Sequence, residues 1–240
     1  MIRLLAAFLV VSLALNGAFA GWYLGVTPIK RMLWRAHLST AAYAARPVVI
    51  LGDSILVPLD PPEGTLNLAV SGATVAATMA KVLPSALAMA PRRIIIGLGI
   101  NDLRAGRVPE DVAADLAGLV RTITAADPST DIVLLAVLPL ARAAGPRQAA
   151  EADNREITAL NTRLAEEARA GAHGFLDHSG LFTVAGGLDD RLTYDGLHLN
   201  AAGLDILSRV LLSGAAAPTE RGQQVEAFKS GRSHPVHLST

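Results

Sequence analysis

The chain has 240 residues, 51% of them hydrophobic, which is room for one sizeable core but not for two full domains with extensions. Lys+Arg and Asp+Glu balance at 21 each, for a formal net charge of +0, so the sequence carries no basic footprint for a nucleic-acid partner. Cysteine is absent, which excludes disulfides, thiolate metal sites and a cysteine nucleophile; with six scattered His and no His-Glu-x-x-His, no metal site is expected either.

After Met1-Ile2-Arg3 comes an apolar run over 4–26. Its first part, 4–15, has the length of a signal-peptide core, and Ala18-Phe19-Ala20 before Gly21 is similar to a cleavage site. The whole run is also long enough to cross a bilayer of roughly 30 Å as an uncleaved anchor. Trp22 and Tyr23 would then sit at the interface, although Lys30, Arg31 and Arg35 sit awkwardly with export under the positive-inside rule. Both readings predict an exported chain, periplasmic, extracellular or membrane-anchored. We therefore expect a signal peptide or anchor over 1–26, a connector over 27–46, a folded domain over 47–213 and a polar, disordered tail over 214–240.

From Pro47 onward, short apolar runs alternate with longer amphipathic ones. Val48-Val49-Ile50-Leu51 is a buried strand that stops at Gly52; further strands are predicted over 66–70, 93–98, 131–138 and, more weakly, 174–177. Helices are predicted over 74–89, 109–126, 154–170 and 201–212, the second opened by Pro109 with Glu110 and Asp111 behind it. Such alternation implies right-handed crossovers and a parallel sheet with helices on both faces. The ligand site of such a sheet lies beyond the carboxyl ends of its strands. Polar clusters follow three of those ends: Gly52-Asp53-Ser54, Ser71-Gly72 and Gly99-Ile100-Asn101-Asp102.

A serine at a strand-to-helix turn has an exposed hydroxyl, and Ser54 is read at such a turn, either as nucleophile or as a helix cap. A nucleophile needs a base oriented by a carboxylate. Of the six His, only His198 has an acid three residues earlier, Asp195; His37, His173, His178, His234 and His237 are read as structural. Gly72 offers a backbone N–H and Asn101 an amide N–H to a developing oxyanion. Asp53 and Asp102 are read as structural, and Arg104 and Arg107 as solvated or as contacts for an anionic substrate.

In order, Gly52-Asp53-Ser54-Ile55, Asn67-Leu68-Ala69-Val70-Ser71-Gly72-Ala73-Thr74, Gly99-Ile100-Asn101-Asp102 and Tyr194-Asp195-Gly196-Leu197-His198-Leu199-Asn200 resemble the four blocks of the SGNH or GDSL hydrolases. Ile55 replaces the commoner Leu, and the resemblance spans 48–212. It implies a flavodoxin-like three-layer α/β/α sandwich with a parallel sheet. It also implies cofactor-free hydrolysis of acyl esters or thioesters, with Ser54, His198 and Asp195 catalytic and Ser54 N–H, Gly72 N–H and Asn101 as the oxyanion hole. No Gly-x-Ser-x-Gly elbow is present, against the other common esterase fold. The expected substrate is a small-molecule or glycan ester with a short acyl group, such as O-acetyl. The connections near the site look short, and the longest, 140–153, has no large apolar residue beyond its first, which leaves little for a lid. A lysophospholipase or thioesterase, an acyltransferase acting on envelope glycans and a non-catalytic binding domain are the alternatives; oligomeric state is left open.

Overall fold

The computed structural model describes residues 46–141 and 147–216. The apolar segment over 1–26, nearly all of the connector and the tail beyond 216 lie outside the described residues. No helix among the described residues is long and apolar enough to cross a membrane.

The elements are β1 (Val48–Gly52), β2 (Thr65–Asn67), α1 (Val75–Lys81), α2 (Leu83–Ala88), β3 (Arg93–Gly97), α3 (Ile100–Arg104), α4 (Pro109–Ala126), β4 (Asp131–Leu135), α5 (Arg147–Ala170), β5 (Gly174–Leu176), β6 (Thr183–Val184), β7 (Gly187–Leu188) and α6 (Ala201–Ala216). β1 to β5 form one parallel sheet in the order β2-β1-β3-β4-β5, and β6 and β7 form a small hairpin. β1 is buried along its whole length and β3 along all but its last residue, because helices cover both faces of the sheet. On one side α4 packs against both α1 and α5. On the other, Leu211 of α6 lies over Val48, Ile50 and Ile95. The fold is the expected α/β sandwich around a parallel sheet.

Register is what builds the site. Gly52 pairs with Gly97, so β1 and β3 end level with each other. The chain after β2 stays bonded to β1, with Leu68 N–H donating to the Ile50 carbonyl at 2.9 Å and Val70 N–H to the Gly52 carbonyl at 2.9 Å. The segments 53–54, 71–72 and 98–101 therefore leave the sheet side by side.

Several elements differ from expectation. The single helix over 74–89 is two helices: Val82 separates them, and Pro84, which has no N–H to continue the ladder, sits in the first turn of α2. β4 stops at Leu135, and the chain beyond it is held by side-chain amides of α5. Asn161 bridges both backbone groups of Val137, and Asn154 both backbone groups of Leu140, at 2.7–3.0 Å. α5 begins at Arg147, so much of the stretch read as a loop over 140–153 is helix. α6 runs past 212 to Ala216.

Candidate active site

Asp53 and Ser54 leave β1 on a turn, and only one turn follows: Leu56 and Val57 N–H both donate to the Asp53 carbonyl, at 3.1 and 3.2 Å. The expected strand-to-helix geometry is thus corrected to strand-to-turn. A helix cannot continue because Pro58, Pro61 and Pro62 follow, and because Asn67 Nδ2 takes the Leu56 and Leu59 carbonyls at 2.8 and 3.1 Å. The Asp53 side chain closes the turn, its Oδ1 accepting from Ile55 N–H at 2.9 Å. Asp53 is 3% exposed, and desolvation pushes its carboxyl up to about 6, only partly opposed by the Ile55 N–H and the nearby His198.

His198 reaches the same place from the loop before α6. Thr193 and Leu199 form an isolated antiparallel bridge that closes this loop. Thr193 Oγ1 donates to the His198 carbonyl at 2.6 Å and accepts from Gly196 N–H at 2.9 Å. Ala141 N–H donates to the Gly196 carbonyl at 2.8 Å, tying the loop to the chain beyond β4. Asn200 caps α6, its Oδ1 accepting from Ala202 and Gly203 N–H.

Within that loop Asp195 Oδ1 accepts from Leu197 N–H at 2.9 Å and His198 N–H at 2.7 Å, and Oδ2 lies 2.6 Å from His198 Nδ1. Partial burial works against the Asp195 carboxylate. The His198 ring and the two backbone N–H groups together outweigh that cost and hold it down to about 2. An ionised carboxylate only accepts, so His198 Nδ1 carries the proton, and in the neutral ring Nε2 is then an acceptor. Nε2 lies 2.9 Å from Ser54 Oγ, whose hydroxyl donates to it across 144 residues of sequence. The arrangement can deprotonate the serine hydroxyl and hand the proton on. The Tyr194 ring stacks on His198, with centroids 5.7 Å apart and planes within 9°, and is itself 70% exposed.

The three expected oxyanion donors surround the same strand ends. Gly72 has φ +73°, a conformation natural to glycine, and a Cβ there would meet nothing within 4 Å, so this turn faces open space. Gly99, φ +125°, turns the chain from β3 into α3, and a Cβ on it would come within 2.9 Å of Leu160. Asn101 follows on α3 and donates one amide hydrogen to the Ala73 carbonyl at 3.0 Å, leaving the other. The N–H groups of Ser54 and Gly72 are accepted by nothing among the described residues.

Asp102 is structural, as expected, but its partners were not visible in the sequence: Val75 N–H and Arg107. Arg107 is partly exposed but not free, since Asp102 and Asp115 both hold it, at 3.2 and 2.6 Å. Arg104 is exposed. His178 is buried, its Nδ1 donating to the Leu176 carbonyl at 3.2 Å and its ring edge-on to Phe182, and burial lowers its pKa. Among the described residues no group of three or more His, Asp or Glu is placed to hold a metal ion.

The GDSL-like Lipase/Acylhydrolase family model matches residues 44–206. The chain belongs to that family. Like its fellow members it is a hydrolase. A GDSL-like lipase from Bacteroides thetaiotaomicron shares the fold at 22% identity and TM-score 0.67, covering 78% of this chain and 96% of its own. A mutant of an acetyl-xylooligosaccharide esterase from Geobacillus stearmophilus does so at 19% identity and TM-score 0.55, covering 72% and 95%. No curated protein gives a significant match.

Proposed function

We propose that this GDSL-family hydrolase cleaves short-chain acyl esters, O-acetyl esters among them, through an acyl-enzyme on Ser54. The observation that carries the proposal is the relay Ser54 Oγ to His198 Nε2 at 2.9 Å and His198 Nδ1 to Asp195 at 2.6 Å. Ser54 Oγ attacks the ester carbonyl carbon as its proton passes to Nε2. The oxyanion that forms takes hydrogen bonds from Ser54 N–H, Gly72 N–H and the free amide hydrogen of Asn101, and Asp195 stabilises the imidazolium. As the acyl–oxygen bond to the alcohol breaks, His198 returns the proton to the leaving oxygen. Water then repeats the sequence on the acyl-enzyme, releasing the acid and restoring the serine.

Two features support a small acyl group. The Gly72 turn faces open space, and α5 takes the second half, 147–153, of the stretch over 140–153 that a lid would need. The exposed Tyr194 ring beside the base offers an amphipathic surface suited to a partly polar alcohol portion. Acetylated xylo-oligosaccharides are the substrate named for one structural neighbour, and sugar acetates are our first candidates here. The test is kcat/KM over acetyl, butyryl, octanoyl and palmitoyl p-nitrophenyl esters, beside an acetylated xylan. We expect a maximum at acetyl or butyryl; a maximum at octanoyl or longer would refute the short-chain reading. Adding an acceptor sugar and looking for an acylated product separates transfer from hydrolysis. The run over 4–26 further leads us to propose that the enzyme works outside the cytoplasm, released or anchored.

A further inference from the structure

We infer that Asp102 is a positioning residue for the oxyanion site: by accepting from Val75 N–H it holds the Gly72 turn in place against Asn101. The inference rests on the Ser54 acyl-enzyme reading above and concerns how its oxyanion donors are kept in register.

The Gly72 turn is closed by Ala73 N–H donating to the Val70 carbonyl at 3.0 Å and tied to β1 through Val70, so what remains to be set is its position against α3. Ser71 and Gly72 are exposed, and a Cβ on Gly72 would touch nothing within 4 Å, so no neighbour packs on the turn at that point. Two hydrogen bonds from the segment after β3 grip it on the downstream side. Asn101 Nδ2 donates to the Ala73 carbonyl at 3.0 Å, and Asp102 Oδ2 accepts from Val75 N–H at 3.1 Å. They run in opposite senses and straddle Thr74, so together they fix both the separation and the rotation of the two segments. Adjacent residues on α3 thus divide the labour: Asn101 offers its second amide hydrogen to the oxyanion, and Asp102 keeps the other donor's loop at the matching distance.

A buried carboxylate is a costly way to hold one N–H, which argues for a function. Asp102 is 1% exposed. The carboxylate is tolerated because its other oxygen pairs with Arg107 Nη1 at 3.2 Å, and Arg107 is itself steadied by Asp115 Oδ2 at 2.6 Å. Val75 is fully buried, so its N–H has no water to fall back on. Oxyanion donors act only when they are in place before charge develops. Misplacement by about 1 Å is enough to slow a reaction about a hundredfold.

The same bond can be cut from either end. Asp102→Ala removes the acceptor. Val75→Pro removes the donor and leaves Asp102 paired with Arg107. Proline is tolerated there because Val75 opens α1 and Thr74 before it is extended, φ −96° and ψ 165°. In the full-length protein, with p-nitrophenyl acetate, each variant should lower kcat about 10- to 100-fold. KM should stay within about threefold, because the lost interaction is made in the transition state. Asp102→Asn, which keeps an oxygen for Val75 N–H, should recover most of the rate. On a Gly72→Ala background, where the Gly72 N–H is already displaced, either change should cost far less, since both act through that donor. The inference is overturned if either variant, folded by thermal melt, keeps full kcat while Asn101→Ala loses it. It is equally overturned if the losses with Gly72→Ala simply multiply, or if Asp102→Asn is as slow as Asp102→Ala. Should Asp102→Ala fail to fold, Val75→Pro decides. Failure of the underlying reading looks different: Ser54→Ala would then retain turnover.

Discussion

Replacing Asp53 by Asn should make the protein more stable relative to wild type as pH rises, and the size of the effect follows from the site. The carboxyl sits beside a small cavity lined by Leu56, Leu98, Ile100, Leu138 and His178, where an ion is poorly solvated. Burial raises it from the ordinary 3.8 to about 6. A carboxyl whose folded-state pKa lies above its unfolded value adds stability that is fully present below the unfolded value and lost as pH rises through the folded one. That interval corresponds to about 3 kcal/mol. Of this, about 0.5 kcal/mol has been lost at pH 4 and nearly all by pH 8. Asn keeps an oxygen for Ile55 N–H but never ionises. Its amide hydrogens need a partner, and the cavity, about 30 Å³, has room for a water. That cost is a constant offset, so the slope is the test rather than the sign at any one pH. Urea denaturation of both proteins at pH 4, 6 and 8 should show the variant gaining roughly 2.5 kcal/mol on wild type between the extremes. Carboxylates lowered in the fold, such as Asp127, Asp189 and Asp195, titrate in the opposite sense in both proteins and cancel in the difference. A flat difference across this range would refute the claim that Asp53 is ionised against its environment at neutral pH.

His198→Ala should cost at least about a thousandfold in kcat, and Asp195→Asn also a large factor, because the carboxylate fixes the tautomer in which Nε2 can accept the Ser54 proton. A His178 substitution that proved more harmful to kcat in a folded variant would point to another base. Gly72→Ala places a side chain at φ +73° with no clash, so strain should cost about 1–2 kcal/mol of stability. Any relaxation of φ swings the Gly72 N–H, and kcat should fall more than about tenfold; a normal kcat in the folded variant would remove Gly72 from the oxyanion site. N-terminal sequencing of native protein should find a start at Gly21, or Met1 in the membrane fraction; soluble cytoplasmic protein retaining Met1 would contradict export.

Much of this was legible in the sequence because local pattern and global fold agree. The β-branched runs at Val48 and Ile94 can only be buried strands, and Pro109-Glu110-Asp111 marks the start of α4 at the residue where it begins. Asp195 and His198 meet in a single turn, so their spacing alone exposed the pair. The contacts that local pattern does not reveal join residues far apart. Asp102 and Val75 are 27 positions distant, and nothing local distinguishes an aspartate that caps a remote N–H from a solvated one. Arg107 looked free for the same reason. The turn after Ser54 reads as a helix start because its terminators, the Asn67 amide and the prolines, act from outside the strand-like motif. The stretch over 140–153 has a loop's composition at one end only, and Asn154 and Asn161, which look like surface positions on a helix, turn inward to hold the chain beyond β4.

The central claim is that Ser54 becomes acylated. Native protein mixed with p-nitrophenyl acetate, quenched in acid during turnover and digested should carry one acetyl group on the peptide containing Ser54. The modification should be absent from Ser54→Ala, whose kcat should be lower by at least about three orders of magnitude. Acetyl found on another residue, or undiminished hydrolysis by Ser54→Ala, would contradict the account.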